Sequence, residues 1–297
     1  MRFTKLTPII GLLTGATVWG LIWYPYRALE HAGIAGDLAA MLTYAIAFVC
    51  GLVAFRKRIA WRQISLPLAG IALSAGAANI GFTYAVIYGE VMRVVLLFYL
   101  APLWTVLFAR ALLGEKLNLP GYALMALAFG GAVVMRWDPR MSLPLPRSTA
   151  EWIGLLAGLM FALSNVLARR YATLAIEAKV LAVFAGGIVA GSISVLLTVP
   201  AAAAWQAVPP QAGLLILVSI VIFSVNIAVQ HGLANVSANR AIVIYLFELV
   251  VTAFSAWLLA GETLALKDWC GGAMIIAAGL LSARIAAHPA TTAAPQD

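Results

Sequence analysis

A carboxylate in the middle of an apolar run is the sharpest chemical feature of this sequence. Glu248 stands between Phe247 and Leu249, with Arg240 about two helical turns away. An unpaired, ionised carboxylate there costs on the order of several kcal/mol, so the group must be protonated, partnered or wetted. Two kinds of chemistry fit: carriage of a coupled proton, or recognition of an ammonium group. Polar side chains recur in other apolar runs. Asn79 and Thr83 lie one helical turn apart, and Asn226 with Gln230 occupies a matching turn later in the chain. Amides in such surroundings either bond between helices or present donors and acceptors to a zwitterionic ligand. His231 and Tyr84 hold equivalent places beside them; His231 reads equally as a donor or proton carrier and as a satisfied structural histidine.

Aromatic residues supply the second ingredient. Tyr99 precedes Pro102-Leu103-Trp104, Phe98 matches Tyr245 further along, and Trp19 lies in the first apolar run. Proline has no N–H and frees a carbonyl four residues back, so Pro102 and Pro25 are expected kinks that open polar backbone to a cavity. With 9 Trp, 9 Tyr and 12 Phe, many at mid-run, the composition fits a cavity for aromatic rings or a flat cation as well as plain packing. The candidate substrate-binding set is therefore Trp19, Asn79, Thr83, Tyr84, Tyr99, Asn226, Gln230, His231, Tyr245 and Glu248.

Other chemistries find no support. The three histidines, His31, His231 and His288, are far apart, and neither His-Glu-x-x-His nor Gly-x-Ser-x-Gly occurs. No P-loop is present, so any driving force must be a gradient or a membrane potential. No cofactor and no metal are expected. The net charge of +8 comes from short basic loops rather than a patch with stacking aromatics, which argues against nucleic acid. Cys50 and Cys270 lie in separate apolar runs and read as inert core residues rather than a disulfide.

The elements that carry these residues must be transmembrane helices. The 297 residues are 64% hydrophobic and only 10% charged, where a water-soluble domain would carry about 25%. At about 20 residues per span, ten apolar runs are expected to cross, at 8–29, 37–55, 65–88, 91–113, 120–136, 151–170, 178–199, 212–234, 237–260 and 267–286. The second half repeats the first at a constant offset of 147. Asn79-Ile80 falls on Asn226-Ile227, Arg93 on Arg240, Thr105 on Thr252, and Gly114-Glu115-x-Leu117 on Gly261-Glu262-x-Leu264. Five spans per half is an odd number, so the second half must enter upside down. The expected fold is thus an all-α integral membrane protein, ten helices as two inverted five-helix repeats around a central cavity. The divisions are an N-terminus over 1–7, repeats over 8–136 and 151–287, a connecting loop over 137–150 and a disordered tail over 288–297. Thirteen of the 19 lysines and arginines fall on one side if both termini are cytoplasmic, while Arg136, Arg140 and Arg147 vote the other way. Glu115 and Glu262 are expected to cap or pair at helix ends, and Arg93 and Arg240 to act as anchors or gate elements.

The five-plus-five spans and the Gly-Glu-x-Leu signature closing the fourth and ninth helices resemble the EamA branch of the drug/metabolite transporter superfamily. Trp19-Gly20 in the first span, and Ala162-Leu163-Ser164-Asn165 with Arg169-Arg170 in the sixth, fit the same pattern over residues 8 to 287. The second half lacks a Trp-Gly in its opening helix. The aromatic-rich interior is most similar to the YddG-type exporters. That resemblance implies export of aromatic amino acids and flat organic cations across the bacterial inner membrane by alternating access, as a monomer. The partners would be a small-molecule substrate, the lipid bilayer and protons as a candidate coupling ion. An uptake carrier, uniporter or channel of the same fold is the alternative.

Overall fold

The computed structural model describes residues 3–58, 65–89, 91–136, 146–198, 205–261 and 265–287, and all regular structure among them is helical. The first half comprises α1 (Phe3–Leu21), α2 (Trp23–His31), α3 (Gly36–Phe55), α4 (Leu66–Tyr88), α5 (Val91–Phe98) and α6 (Ala101–Phe108), then a π-helical turn (Ala109–Leu113) and α7 (Leu119–Arg136). The second comprises α8 (Thr149–Arg170), α9 (Ile176–Thr198), α10 (Ala212–Asn235), α11 (Ala238–Tyr245), α12 (Phe247–Ala260) and α13 (Leu266–Ala287). Seven segments are long and apolar enough to cross a bilayer: Thr7–His31, Gly36–Phe55, Leu66–Val86, Thr149–Arg170, Ile176–Thr198, Pro209–Asn235 and Ala238–Leu259. Ala101–Leu113 and Leu119–Met135 are shorter apolar helices. The loop and tail expected at 137–150 and 288–297, and Glu262, lie wholly or largely outside the described residues, as does the side chain of Arg93.

Proline sets two of the helix breaks. α1 ends at Leu21, four residues before Pro25, and α5 ends at Phe98, four residues before Pro102. In each case the chain turns just past the carbonyl that the proline cannot satisfy. The third break has no proline. Between α11 and α12 the Leu249 N–H donates to the Leu246 carbonyl at 3.1 Å, three residues back instead of four. This break at Leu246 lies one offset of 147 from Tyr99, so both repeats break their fourth long helix at the same place. Both repeats also end that helix alike, on Gly114 and Gly261 with φ of 68°. Only glycine takes that left-handed conformation without penalty, which explains the repeated Gly-Glu. At the start of α8, the Ser148 hydroxyl accepts from the Glu151 N–H at 3.2 Å and the Glu151 carboxylate accepts from the Arg147 N–H at 2.9 Å. That is a capping box shifted by one residue.

Helix pairings come in matched sets. α4 packs along α8 and α9, and its counterpart α10 packs along α1 and α3. α5 and α6 rest on α8 as α11 and α12 rest on α1, while α3–α9 and α7–α13 pair each helix with its own counterpart. Along the α3–α9 seam Asp37 meets Ser194 and Thr198, Met41 meets Ser192, and Tyr44 lies on Gly187. Numbers rise on one helix as they fall on the other, so these two counterparts run antiparallel. Close approach is bought by small residues: a Cβ on Gly186 of α9 would collide with the Ala72 carbonyl of α4. The interior clusters around Tyr44, Ile71, Phe184 and Ile222 on one side and Met125, Leu246, Leu249 and Ile275 on the other. Leucine, valine and tryptophan cover the outward faces, as at Val53, Leu73, Leu196, Trp257 and Trp269. A helix apolar all round belongs in lipid. Cys50 is half-buried and Cys270 exposed on that outward face; both are free thiols, so Cys270 is not a core residue. Sequence alone gives hydrophobicity, and hydrophobicity cannot separate core from lipid contact.

Candidate functional site

Where the two repeated helix breaks meet, the bundle opens a crevice of about 250 Å³, its open mouth included. Phe98, Tyr99, Ala101 and Pro102 line it from the first break, and Ile242, Tyr245, Leu246 and Glu248 from the second; Phe161 of α8 completes the wall. The lining is paired by the offset of 147: Phe98 with Tyr245, Tyr99 with Leu246, Ala101 with Glu248. Even the local bonding repeats. The Thr105 hydroxyl donates to the Ala101 carbonyl at 2.9 Å, and the Thr252 hydroxyl to the Glu248 carbonyl at 2.9 Å. The crevice therefore sits between the halves, where duplicated transporters build their binding sites.

The walls are rings. Phe82 of α4 packs on Phe98 with centroids 4.5 Å apart, Phe98 on Phe161 at 5.5 Å, and Phe161 on Tyr245 at 5.6 Å. Tyr99 stands edge-on to Phe98 at 5.6 Å. Each such pair contributes about 0.5–1.5 kcal/mol beyond its buried area, so the chain of rings is a stiff wall as well as an apolar one. The freed Phe98 carbonyl points at Gly158 of α8, where a Cβ would collide with it. Glu248 is the one acidic residue in the lining, half-buried. The arrangement offers a flat apolar slot with a single carboxylate at its edge, which suits a ring joined to a cation.

Of the ten residues singled out by sequence, the crevice gathers Tyr99, Tyr245 and Glu248. The other seven lie on neighbouring helices. Trp19 of α1 packs beside the cluster of Tyr44 and Phe184. Asn79 donates its amide to the Ala75 carbonyl at 2.8 Å, and the Thr83 hydroxyl donates to the Asn79 carbonyl at 3.0 Å. These bonds stay within α4 rather than gluing helices. Tyr84 stacks on Tyr88 at 4.6 Å. Asn226 and Gln230 are buried on α10, and each carries an amide oxygen with no hydrogen-bond partner. His231 is half-buried, one residue further on. Phe161, Phe82 and Phe98's role against them were not singled out, because an isolated phenylalanine in an apolar helix has no periodic or polar signature.

A second polar cluster closes one end of the bundle. Arg169 Nε lies 3.9 Å from Glu115 Oε1, and the Asn239 amide donates to Glu115 Oε2 at 3.4 Å. Three helix C-termini are capped there by cations: Arg169 donates to the Ala234 carbonyl, Arg170 to Leu112 and Lys179 to Ala168. Positive groups belong at helix C-termini, where orphan carbonyls and the helix dipole both favour them. Glu115 pairs with neighbouring chain ends in the way the sequence implied.

The fold has solved counterparts. One crystal structure superposes with a TM-score of 0.72 over 96% of this chain and 98% of its own, at 16% identity. That degree of likeness speaks for the fold alone. No curated protein matches the sequence. The family model described as EamA-like transporter matches twice, over residues 6–137 and 148–284. These two matches cover nearly the whole chain and coincide with the two sets of paired helices. The chain belongs to the EamA-like transporter family.

Proposed function

We propose that this protein is a secondary transporter that exports small amphipathic metabolites, foremost aromatic amino acids and flat organic cations, across the bacterial inner membrane by alternating access. The observation that carries the reading is the crevice between the two matched helix breaks, with rings on its walls and Glu248 at its edge. Tyr99, Tyr245, Phe98 and Phe161 take the ring of the substrate, and Glu248 takes its ammonium group or a coupled proton. Asn226 and Gln230, whose amide oxygens lack partners, are spare acceptors for a polar substrate group in another state of the cycle. Ten helices span the membrane as two inverted five-helix repeats, a reading supported by the antiparallel α3–α9 pair. Both termini face the cytoplasm, which puts the Arg169, Arg170 and Lys179 cluster inside. The specificity is of the YddG type, the protein acts as a monomer, and its role is not enzymatic.

Reconstitution into liposomes tests this. Radiolabelled aromatic and aliphatic amino acids are offered with and without a pH gradient. Saturable flux with counterflow, stronger for ring-bearing substrates, is expected. Linear flux without counterflow would mean a pore, and saturable flux with no preference for rings would sink the substrate assignment.

A further inference from the structure

Asp37 stands in the first turn of α3, and only 2% of it is exposed. Its Oδ2 accepts from the Ser194 hydroxyl at 2.8 Å and from the Thr198 hydroxyl at 2.8 Å, both on α9. Its Oδ1 is buried with no hydrogen-bond partner. The Thr198 hydroxyl also lies 2.8 Å from the Ser194 carbonyl, so its one proton is shared and Ser194 is the only full donor. A charged carboxylate so placed is under-solvated on one oxygen and held across the two halves of the molecule by the other.

Nothing nearby supplies an opposite charge. On α9 the titratable groups are Glu177 and Lys179, in its first turn at the far end; on α10 there is only His231, again toward the far end. α4 carries Tyr84 and Tyr88. α2 carries Tyr26, half-buried, and Arg27, Glu30 and His31, all exposed. Residues 199–204 contain no titratable side chain. Two carboxylate oxygens and two hydroxyls are also too few for a metal ion such as calcium, which takes 6–8 oxygen ligands. A proton is the cation that fits.

We propose that Asp37 is a protonation site that sets the hold between the two halves according to the pH at their outer end. The position follows from the span limits: Asp37 is one residue inside α3, and Ser194 and Thr198 are in the last turns of α9. Oδ1 takes a proton from the outer water, an O–H bond forms, and the carboxylate becomes a neutral acid; no electrons move, and the proton leaves by the same route. The hydroxyls of Ser194 and Thr198 then bond to a neutral oxygen, and such bonds are roughly half as strong as those to an ion. The α3–α9 seam loosens at that end. This consequence for the cycle rests on the transporter reading; the protonation does not.

Two measurements on the purified full chain test it. The first is infrared difference spectroscopy between high and low pH. The wild type should show a protonated-carboxyl C=O band that is absent from Asp37→Asn. In Ser194→Ala, which keeps the acid, the band should move to higher wavenumber because its oxygen loses a donor. The second is flux into liposomes at fixed inner pH and varied outer pH. A several-fold dependence should flatten in Asp37→Asn and persist in Glu30→Gln, an exposed carboxylate of α2. Superimposable spectra of wild type and Asp37→Asn, an unmoved band in Ser194→Ala, or an unchanged outer-pH dependence would each overturn the proposal. Absence of saturable flux in the wild type would instead defeat the transporter reading, and the infrared band would still decide the role of Asp37.

Discussion

Phe98 and Tyr245 occupy equivalent places in the two repeats, and both pack on one ring, Phe161, at centroid distances of 5.5 and 5.6 Å. A single side chain from α8 thus bridges the two broken helices. Phe161 has no partner of its own kind to share that task, so the wall of the crevice depends on it. The duplicated backbone is symmetric here, but the side chains are not: Ala101 faces Glu248, and Tyr99 faces Leu246.

Replacing Phe161 by Leu should therefore affect ring recognition more than folding. The volume changes modestly, while two ring contacts of about 1 kcal/mol each are lost. Binding of a ring-bearing substrate should weaken roughly 5- to 30-fold, with little change for a small aliphatic one. Tyr99→Ala should act in the same direction. Equal losses for both substrates, measured by scintillation proximity on purified protein, would show general packing damage instead.

The bundle is pinned where backbones touch. Gly186→Ala puts a methyl against the Ala72 carbonyl, and overpacking of this kind costs roughly 1–3 kcal/mol. A drop of several degrees in apparent melting temperature is expected. Gly279→Ala is the internal control, because no atom lies within 4 Å of a Cβ there, and alanine is the better helix former. It should be neutral or stabilising. If both variants melt alike, the α4–α9 contact is not what holds these helices together.

Much of this was legible in the sequence, for identifiable reasons. Pro25 and Pro102 announced their breaks because a missing N–H acts locally, on a carbonyl four residues away. The break at Leu246 has no such local cause; it was readable only by carrying Tyr99 across the offset of 147. Glu115's pairing at a helix end followed from its place beside Gly114. Asp37's partners lie 157 and 161 residues away, and no pattern within one helix reports a contact at that separation. The amides misled in part: Asn79 bonds within its own helix, a use that its type and depth do not distinguish from a bond across helices.

The Glu115–Arg169 pair should act as a latch of modest strength. Both side chains are partly exposed, at 21% and 31%, and such a pair is worth about 0.2–1 kcal/mol. Glu115→Gln should therefore shift any open–closed equilibrium at that end by no more than a few-fold. A cysteine at the buried Ala238, in a background lacking Cys50 and Cys270, reads this out. A membrane-impermeant thiol reagent should label it a few-fold faster in the variant. Unchanged labelling would mean that Arg169, Arg170 and Lys179 hold the end shut through the helix carbonyls alone.

Glu248 gives the sharpest test of mechanism, because the duplicated position is Ala101 and the fold therefore does not require a carboxylate there. Glu248→Gln keeps the shape and one acceptor oxygen but can carry neither a charge nor an exchangeable acidic proton. If the residue carries a coupled proton, substrate binding should survive while pH-driven accumulation is lost. If it recognises an ammonium group, binding itself should weaken by about 1.5–3 kcal/mol, roughly 10- to 150-fold, as a charge-assisted hydrogen bond becomes a neutral one. The two outcomes separate when binding and pH-driven flux are measured on one purified preparation. Normal binding together with normal accumulation would remove Glu248 from the mechanism and leave the ring wall as the only recognition element in the crevice.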